Sequence, residues 1–336
     1  MTATATPADL AKAFKGARVM ITGGLGFIGS AMARRLADLG SDVLLVDSLI
    51  PEYGGNLFNI DEIKDRVRVN ISDIRDTHGL RRLVADRDYL FNLAGQTSHL
   101  DSMSEPVTDL EINCLAQLTL LEACRAVNPK INIVFASTRQ IYGKPDYLPV
   151  DEQHLLRPVD VNGVNKMAGE AYHILYHNVY GIRTCALRLT NTYGPRMRIK
   201  DARQTFVGIW LRAVMEGRPF EVWGGEQLRD FTYVDDAVDA FLLAATTPAA
   251  SGRIFNIGGE SVISLRDLAD ALVEVNGGGR YEIREFPAER KRIDIGDYYA
   301  ADELFRTTTG WRAATSIRQG LAASLDFFRK NLDHYL

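Results

Sequence analysis

The stretch "MITGGLGFIGSAMARRLADLG", residues 20–40, decides the fold. Its glycines lie between a short apolar run, "RVMIT" (18–22), and a helical pattern that continues to Leu39. Glycine allows a tight turn and lets a ligand approach the backbone closely. The stretch therefore predicts a strand, a glycine-rich turn and a helix, in that order.

The segments that follow repeat this alternation. Strand-like runs lie at 42–47, 66–74, 89–95, 131–138 and 183–189, and helical patterns at 107–127 and 162–180. Strands separated by helices predict βαβ units and a parallel sheet, which is an α/β fold.

After Leu189 the alternation loosens, which favours a smaller second lobe. The expected division has three parts: a tail (1–15), a nucleotide-binding domain (16–189 with about 232–260) and a substrate lobe (about 190–231 with 261–336). The run "RIFNIGG" (253–259) is expected to return to the main sheet.

The composition excludes several classes of function. The chain has 336 residues, of which 46% are hydrophobic, and a net charge of -4. A net negative charge provides no positive electrostatic potential to attract nucleic acid or an anionic membrane. The N-terminus lacks the apolar segment of a secretory signal, and no apolar run is long enough to cross a bilayer. A cytoplasmic protein is expected. The three cysteines form no short-spaced pair, so reduced thiols and no metal site are expected.

The glycine-rich turn predicts a dinucleotide site. The N-terminus of the following helix offers free N–H groups and positive dipole potential to a pyrophosphate. Asp47 ends the second strand, where a carboxylate accepts hydrogen bonds from the adenosine ribose and repels a 2′-phosphate. The pattern therefore favours NAD over NADP. Asp73 follows the third strand and could face the adenine amine, or be a solvated loop residue.

Several motifs in order resemble the extended short-chain dehydrogenase/reductase family, closest to its nucleotide-sugar epimerases and dehydratases. They are "TGGLGFIGS", "DLEINCLAQLTLLEA", "STRQIYG", "NGVNK", "LRLTNTYGPR", "GGEQLRDFTYVDD", "FNIGG", "RIDIGDYYAD" and a later "GW". The resemblance covers about residues 17–313. It implies a Rossmann-type doubly wound domain that binds NAD, a lobe that binds a sugar nucleotide, and a homodimer formed through the helices at about 107–127 and 162–180.

The resemblance also implies roles for individual residues. The implied cofactor-binding residues are Gly23, Gly26, Phe27, Ile28, Gly29, Asp47, Asp73, Ile74, Leu93, Ala94, Gly95, Lys166 and Leu189. The implied catalytic residues are Thr138, which binds the reacting hydroxyl, Lys166, which binds the nicotinamide ribose, and Asn162.

The implied substrate contacts lie mainly in the C-terminal part of the chain. Asn191, Arg229 and Arg292 match residues that contact the diphosphate, and Val222 and Trp223 fall where the family holds the nucleotide base. Arg229 could instead form a surface salt bridge with a neighbouring aspartate, and Trp223 could be a core residue. The "RIDIGD" around Arg292 departs from the usual spacing.

Two departures from the family bear on the reaction. The position four residues before Lys166, where the family has its catalytic Tyr, is Asn162, and no other Lys in the chain has a Tyr four residues earlier. The resembling 4,6-dehydratases have "TDE" where this chain has Thr138, Arg139 and Gln140, and neither Arg nor Gln shuttles protons at neutral pH. A dehydratase and a decarboxylase therefore lose support, and epimerisation by transient oxidation is favoured.

An amide cannot replace the phenol as a base, so another group must take the proton. Lys166 ranks first, acting directly or through a water held by Asn162, because the nicotinamide charge would lower its pKa. His99, Tyr142 and Tyr193 are alternatives, each with a structural role as the competing interpretation. Three functions stay open: an NAD-dependent epimerase with a non-Tyr base, another nucleotide-sugar redox enzyme, and a catalytically silent binding protein.

Overall fold

The structure is a computed structural model that describes residues 7–287 and 294–336. Its strands are β1 (Arg18–Thr22), β2 (Asp42–Asp47), β3 (Val67–Ile71), β4 (Tyr89–Asn92), β5 (Asn132–Thr138), β6 (Arg183–Leu189), β7 (Asn191–Tyr193), β8 (Phe220–Trp223), β9 (Leu228–Tyr233), β10 (Ile254–Ile257), β11 (Val262–Ser264) and β12 (Tyr281–Arg284).

The helices alternate with the strands through the first half of the chain. They are α1 (Pro7–Phe14), α2 (Phe27–Asp38), α3 (Thr77–Val84), α4 (His99–Ser104), α5 (Pro106–Leu110), α6 (Ala116–Val127), α7 (Val161–Tyr180), α8 (Phe206–Met215), α9 (Val234–Thr246), α10 (Leu265–Asn276), α11 (Glu303–Thr309) and α12 (Ile317–Asn331). Short 3₁₀ helices cover Pro51–Tyr53, Leu57–Arg66, Arg139–Tyr142, Pro248–Ala250 and Leu332–His334.

Within the described residues, seven strands form one parallel sheet in the order β10-β6-β5-β4-β1-β2-β3. The α/β fold with a Rossmann-type sheet is thereby confirmed. The chain winds outward from β1 to β3 and then crosses to β4 on the other side of β1. The carboxyl ends of β1 and β4 therefore flank the crevice in which such sheets bind ligands.

The inner strands of this sheet, unlike the exposed edge strand β3, are nearly continuous apolar runs because helices cover both of their faces. The middle of β1 and of β2 is buried, from Val19 to Ile21 and from Val43 to Val46. Apolar residues of α2 and α9 pack on one face, and those of α3 and α6 on the other. Burial on both faces is the usual environment of a parallel sheet.

Residues 7–14, assigned from the sequence to an N-terminal tail, form helix α1. Leu10 and Phe14 are buried in the core, and the Phe14 ring packs 4.9 Å from that of Tyr89. A weak amphipathic pattern of so few residues predicts little by itself, because short helices depend on tertiary packing.

The C-terminal part contains two small sheets, and its predicted division from the main sheet as a second lobe stays a prediction. Strand β9 pairs with β7 and β11, and β8 pairs with β12. Between these elements the chain returns to the main sheet, where β10 pairs in parallel with β6. In the described residues, no helix combines the length and the apolar character needed to cross a membrane.

The helical stretch at 107–127 is interrupted by a π-helical segment, Glu111–Leu115. This segment lies between α5 and α6 and holds Asn113 in the protein interior. Wide turns of this kind are frequent at functional sites. Here the segment places the Asn113 amide where it donates to Gln96 O and to Asp109, beside the cavity described next.

Candidate active site

A cavity of about 250 Å³ opens at the carboxyl ends of β1, β2, β4, β5 and β6. Its lining residues come from the glycine-rich turn, the loops after β2, β3 and β4, the end of β5, the start of α7 and the residues after β6. The cavity thus brings together groups that lie more than 180 residues apart in the chain. The lining residues include Gly23, Gly26, Phe27, Ile28, Gly29, Asp47, Asp73, Ile74, Leu93, Ala94, Gly95, Gln96, His99, Thr138, Arg139, Gln140, Asn162, Lys166, Leu189, Asn191, Gln204 and Thr205.

The glycine-rich turn has the geometry that a pyrophosphate needs. Gly23 has φ of +67°, which favours glycine, and a Cβ on Gly29 would lie 2.1 Å from the Gly23 carbonyl oxygen. Helix α2 begins at Phe27, so its first N–H groups point toward the cavity end of the turn. No larger side chain fits at Gly29, and the backbone stays open to an anionic ligand.

Asp47 ends β2 at the rim of the cavity. Its carboxylate accepts hydrogen bonds from the backbone N–H groups of Leu25 at 3.0 Å and Leu49 at 2.9 Å. Burial raises the pKa of Asp47 and those backbone donors oppose the rise. A carboxylate has about four acceptor sites, so it can hold this loop and still accept from a ribose.

Asp73 also lines the cavity, two residues beyond the end of β3. Its carboxylate forms a salt bridge with Arg75 at 2.7 Å, which lowers the pKa of Asp73. Arg75 in turn contacts Glu111 at the start of the π-helical segment. The contact with adenine that was expected from the sequence stays a prediction.

Lys166 is buried between β5 and α7. Its Nζ donates to the Ala136 carbonyl oxygen at 3.2 Å and lies 5.0 Å from the centre of the Phe135 ring. A Cβ on Gly95 would lie 2.9 Å from this Nζ, so the small residue after β4 makes room for the ammonium. Burial lowers the pKa of Lys166 to about 8, against the attraction of Asp109.

Asn162 lies two residues into α7, and its amide nitrogen is held by the protein. Nδ2 donates to the Gln96 carbonyl oxygen at 2.8 Å and to Asp109 Oδ2 at 3.1 Å. Asp109 also accepts from Asn165 at 2.8 Å and from Asn113 at 3.0 Å. This buried carboxylate thus joins α5, the π-helical segment and α7.

The end of β5 supplies Thr138, and the next two residues face the same cavity. Arg139 donates from Nη2 to Asn191 Oδ1 at 3.0 Å and lies 5.3 Å from the centre of the Tyr298 ring. Burial lowers the pKa of Arg139, while nearby carboxylates act in the opposite direction. The structure therefore places a guanidinium beside Thr138 and Asn191.

Arg229 is buried behind Arg139 and does not itself line the cavity. It donates to its neighbour Leu228 O at 2.9 Å, and its Nη2 lies 3.4 Å from Asp294 Oδ1. Burial and then the charge of Arg139 lower the pKa of Arg229 to about 10. The two guanidinium groups are thus close enough to repel each other.

The two residues expected to hold the nucleotide base lie elsewhere. Val222 is fully buried in the core of the second lobe, because it occupies an inward position of β8. Trp223 packs 5.8 Å from the Phe286 ring. Neither lines the cavity formed by the described residues, and their expected contact with the nucleotide base stays a prediction. Arg292 lies outside the described residues.

Among the proposed replacements for the catalytic Tyr, the two tyrosines lie away from the cavity. Tyr142 donates to Asn256 at 2.7 Å, accepts from Arg188 at 2.6 Å, and burial raises its pKa to about 12. Tyr193 is buried against α12, and burial raises its pKa as well. These positions favour a structural role for both. His99 does line the cavity.

Comparison with known proteins shows the family. The sequence profile described as the NAD dependent epimerase/dehydratase family matches residues 19–258. The chain belongs to this family.

Known members of the NAD-dependent epimerase/dehydratase family are similar to this protein along nearly the whole chain. A UDP-glucose 4-epimerase from Mycolicibacterium smegmatis is 30% identical, with 93% of this chain and 98% of that protein covered. The structure of a UDP-glucose 4-epimerase from Thermus thermophilus in complex with NAD superimposes with a TM-score of 0.83, at 30% identity and with 94% and 99% of the two chains covered. The structure of a UDP-glucose 4-epimerase from Thermotoga maritima with UDP-glucose superimposes with a TM-score of 0.84, at 28% identity and with 94% and 99% of the two chains covered.

NAD is the cofactor of this family, and the turn at Gly23–Gly29 has the room that its pyrophosphate requires. In the described residues, no group of three His, Cys, Asp or Glu side chains could hold a metal ion.

The sequence interpretation missed several polar residues of this family member's site. Asp109 is a buried partner of Asn162, and Asn113 and Asn165 donate to the same carboxylate. Asp160 caps α7 by accepting from Gly163 N at 2.7 Å. A signal for the cap was present, since Asp directly before a helical run is a preferred N-cap. Asp109 and Asn113 are four residues apart, which places both on one face of a helix.

Proposed function

We propose that this protein is an NAD-dependent nucleotide-sugar epimerase that works by transient oxidation of the sugar. One observation carries the proposal: Thr138 and Lys166 line the same cavity as the glycine-rich turn and Asn191. A cofactor seated on the turn and a sugar nucleotide near Asn191 would therefore meet at Thr138. The similarity to UDP-glucose 4-epimerases supports the same reaction class.

Thr138 and Lys166 have separate tasks at the proposed site. NAD, when bound, supplies the site that accepts a hydride from the sugar and gives it back. Thr138 binds the reacting hydroxyl, and the Lys166 ammonium holds the nicotinamide ribose. The positive charge of Lys166, in a site of low dielectric, also stabilises the negative charge that develops on the sugar oxygen.

The distribution of carboxylates favours epimerisation over dehydration. Elimination of water requires an acid and a base beside the sugar, yet the aspartates that line the cavity, Asp47 and Asp73, follow β2 and β3. These strands lie on the far side of β1 from β5, toward the expected adenosine end. The positions after Thr138 hold Arg139 and Gln140, which do not exchange protons at neutral pH.

The substrate is proposed to be a nucleoside diphosphate sugar. Asn191 lies at the cavity wall beside Arg139, and the guanidinium of Arg229 lies behind them. Guanidinium groups form charge-assisted and often bidentate hydrogen bonds with phosphates. Arg229 could reach a diphosphate only if its contact with Asp294 gives way.

A homodimer is proposed because two neighbouring helical segments expose apolar side chains. Val107 and Leu115 are 65% and 56% exposed, and Val179 on α7 is 59% exposed. Helix α5, the π-helical segment and α6 all pack against α7, so these exposed side chains lie on neighbouring elements. An apolar face of this kind often marks a contact between subunits.

A label experiment tests the reaction class. Candidate sugar nucleotides deuterated at the reacting carbon are incubated with the purified protein, and the product is analysed by mass spectrometry. Retention of deuterium at the inverted carbon is expected, because hydride removal and return occur within one site. Complete washout into water would indicate proton abstraction from carbon and would overturn transient oxidation. Net formation of reduced cofactor would indicate a dehydrogenase, and binding without turnover a silent protein.

A further inference from the structure

His99 stands between a buried carboxylate and an amide at the cavity wall. Its Nδ1 lies 2.9 Å from Asp160 Oδ2, and its Nε2 lies 2.9 Å from Gln140 Nε2. The side chain of Asp160 is completely buried, whereas that of His99 is 36% exposed. The inner edge of the imidazole therefore faces a buried carboxylate at 2.9 Å, although the two atoms are not aligned as a hydrogen bond, and the ring is accessible at the cavity.

The carboxylate determines which ring nitrogen can accept a proton. A neutral imidazole carries one N–H, and a carboxylate only accepts, so the charge of Asp160, 2.9 Å from Nδ1, favours the tautomer that carries its hydrogen on Nδ1. Nε2 then has a lone pair directed at the Gln140 amide, a donor. A sugar hydroxyl that takes the place of this amide would present its own proton to Nε2.

Asp160 is fixed by the fold independently of His99. Its other oxygen, Oδ1, accepts from Gly163 N at 2.7 Å and caps α7, the helix that carries Asn162 and Lys166. A movement of Asp160 would cost the helix its cap. The orientation of the imidazole is thereby tied to the same helix as the rest of the site, an arrangement in which a carboxylate orients a general base.

Lys166 is less suited to accept the proton. Its pKa of about 8 leaves most of the group as an ammonium at neutral pH, and an ammonium has no lone pair. Its Nζ also donates to the Ala136 carbonyl oxygen and lies near the Phe135 ring. These contacts suit a fixed positive charge.

We propose that His99 is the catalytic residue that accepts the hydroxyl proton, and that Asp160 is its positioning residue. This inference rests on the proposed epimerase function. The sugar O–H bond breaks and its proton moves to Nε2, while the carbon loses a hydride to the cofactor and becomes a carbonyl. Return of the hydride to the opposite face and of the proton from Nε2 to oxygen restores a hydroxyl with inverted configuration.

The first test replaces His99 by Gln, which keeps a polar side chain but no titratable nitrogen. Turnover of the sugar nucleotide found by the label experiment should fall ~100-fold or more, the usual contribution of a general base. NAD content and the dissociation constant of the sugar nucleotide, measured by calorimetry, should change less than threefold. His78→Gln is the control, since His78 lies exposed on α3.

The second test replaces Asp160 by Asn, which caps helices as well as Asp but carries no charge. Heteronuclear NMR of the His99 ring should show the proton on Nδ1 in the wild type and a changed proton distribution in Asp160→Asn. The same variant should lower kcat with little change in KM, and its thermal stability should be close to that of the wild type.

The outcomes separate the two proposals. If His99→Gln keeps turnover within tenfold of the wild type, or if NMR finds the wild-type proton on Nε2, the role of His99 is wrong while deuterium retention still supports an epimerase. If the wild type turns over none of the sugar nucleotides that it binds, both proposals fail.

Discussion

Nδ2 of Asn162 lies 3.1 Å from Oδ2 of Asp109, so the first turn of α7 is joined to α5 by a buried amide–carboxylate hydrogen bond. Because a carboxylate only accepts, the Asn162 amide must turn its nitrogen toward α5. Its oxygen is then the atom available to accept from a ligand hydroxyl. We therefore expect Asn162 to position groups without exchanging a proton.

Asn162→Ala is expected to reduce turnover moderately and to lower the free energy of unfolding by about 1–3 kcal/mol, since it removes buried hydrogen bonds to the Gln96 carbonyl and the charged Asp109 carboxylate. Asn165→Ala is the matched control, because Asn165 donates to the other oxygen of Asp109 at 2.8 Å. Asn165 does not line the cavity, so its variant should lose similar stability and keep more turnover. Equal kinetic losses in both variants would assign Asn162 a purely structural role.

Lys166→Met is expected to nearly abolish turnover, because it removes the charge that supports the cofactor ribose and the developing oxyanion. The variant should remain folded, since a thioether replaces a buried ammonium at similar volume. Steady-state kinetics and circular dichroism measure the two effects separately. Near-normal turnover of the variant would remove Lys166 from the catalytic set.

The lowered pKa of Lys166 also predicts a pH dependence of stability. The Lys166 amine has a pKa of about 10.5 in the unfolded state and of about 8 in the folded state. Between pH 8 and pH 10.5 the unfolded state therefore holds more protons than the folded state. The free energy of unfolding should therefore rise with pH across this range, relative to Lys166→Met. Denaturant titrations of both proteins at several pH values measure the difference. If the unfolding free energies of the wild type and Lys166→Met changed with pH in the same way, a buried Lys166 ammonium would be contradicted.

The purified protein should bind NAD more tightly than NADP, because the Asp47 carboxylate repels a 2′-phosphate. Asp47→Asn isolates this charge, since an amide oxygen can still accept from the backbone of Leu25 or Leu49. The preference for NAD over NADP should narrow in both Asp47→Asn and Asp47→Ala. Asp47→Ala should lose more stability, because it also removes the acceptor for the loop. Calorimetric titration tests this, and tighter binding of NADP by the wild type would refute it.

Arg229→Ala should weaken sugar-nucleotide binding by roughly 1.5–3 kcal/mol, the range for hydrogen bonds to a charged group, and leave NAD binding nearly unchanged. Arg218→Ala is a control in the same lobe, because Arg218 is exposed and pairs with Glu216. The two affinities are measured by calorimetry on each variant. Unchanged sugar-nucleotide affinity would leave Arg229 with only its structural contacts.

The apolar face formed by α5 to α7 predicts a dimer. Leu115→Arg should shift the protein toward monomers in sedimentation velocity experiments, because it places a charge in the subunit contact. Leu57→Arg is matched in exposure, since Leu57 and Leu115 are both 56% exposed, and should leave the assembly unchanged. A wild-type monomer at all concentrations would contradict the proposal.

The main sheet could be predicted from the sequence because its determinants are local. The turn at Gly23–Gly29 and the apolar runs of β1 to β6 each carry their own pattern. The partners of Asn162 could not be predicted in this way, since Gln96, Asp109 and Asn162 meet only through the packing of separate helices and loops. The buried position of Val222 likewise depends on the pairing of β8 with β12, which lies 60 residues further along the chain.

The return of β10 to the edge of the main sheet means that neither lobe corresponds to one continuous piece of the gene. A chain shortened after β6 would expose the N–H and C=O groups that β10 now pairs, and an exposed strand edge of this kind promotes aggregation. Chimaeras that exchange the substrate lobe with that of a relative therefore need junctions on both sides of α9 and β10. Recombination at a single crossover would divide the sheet itself.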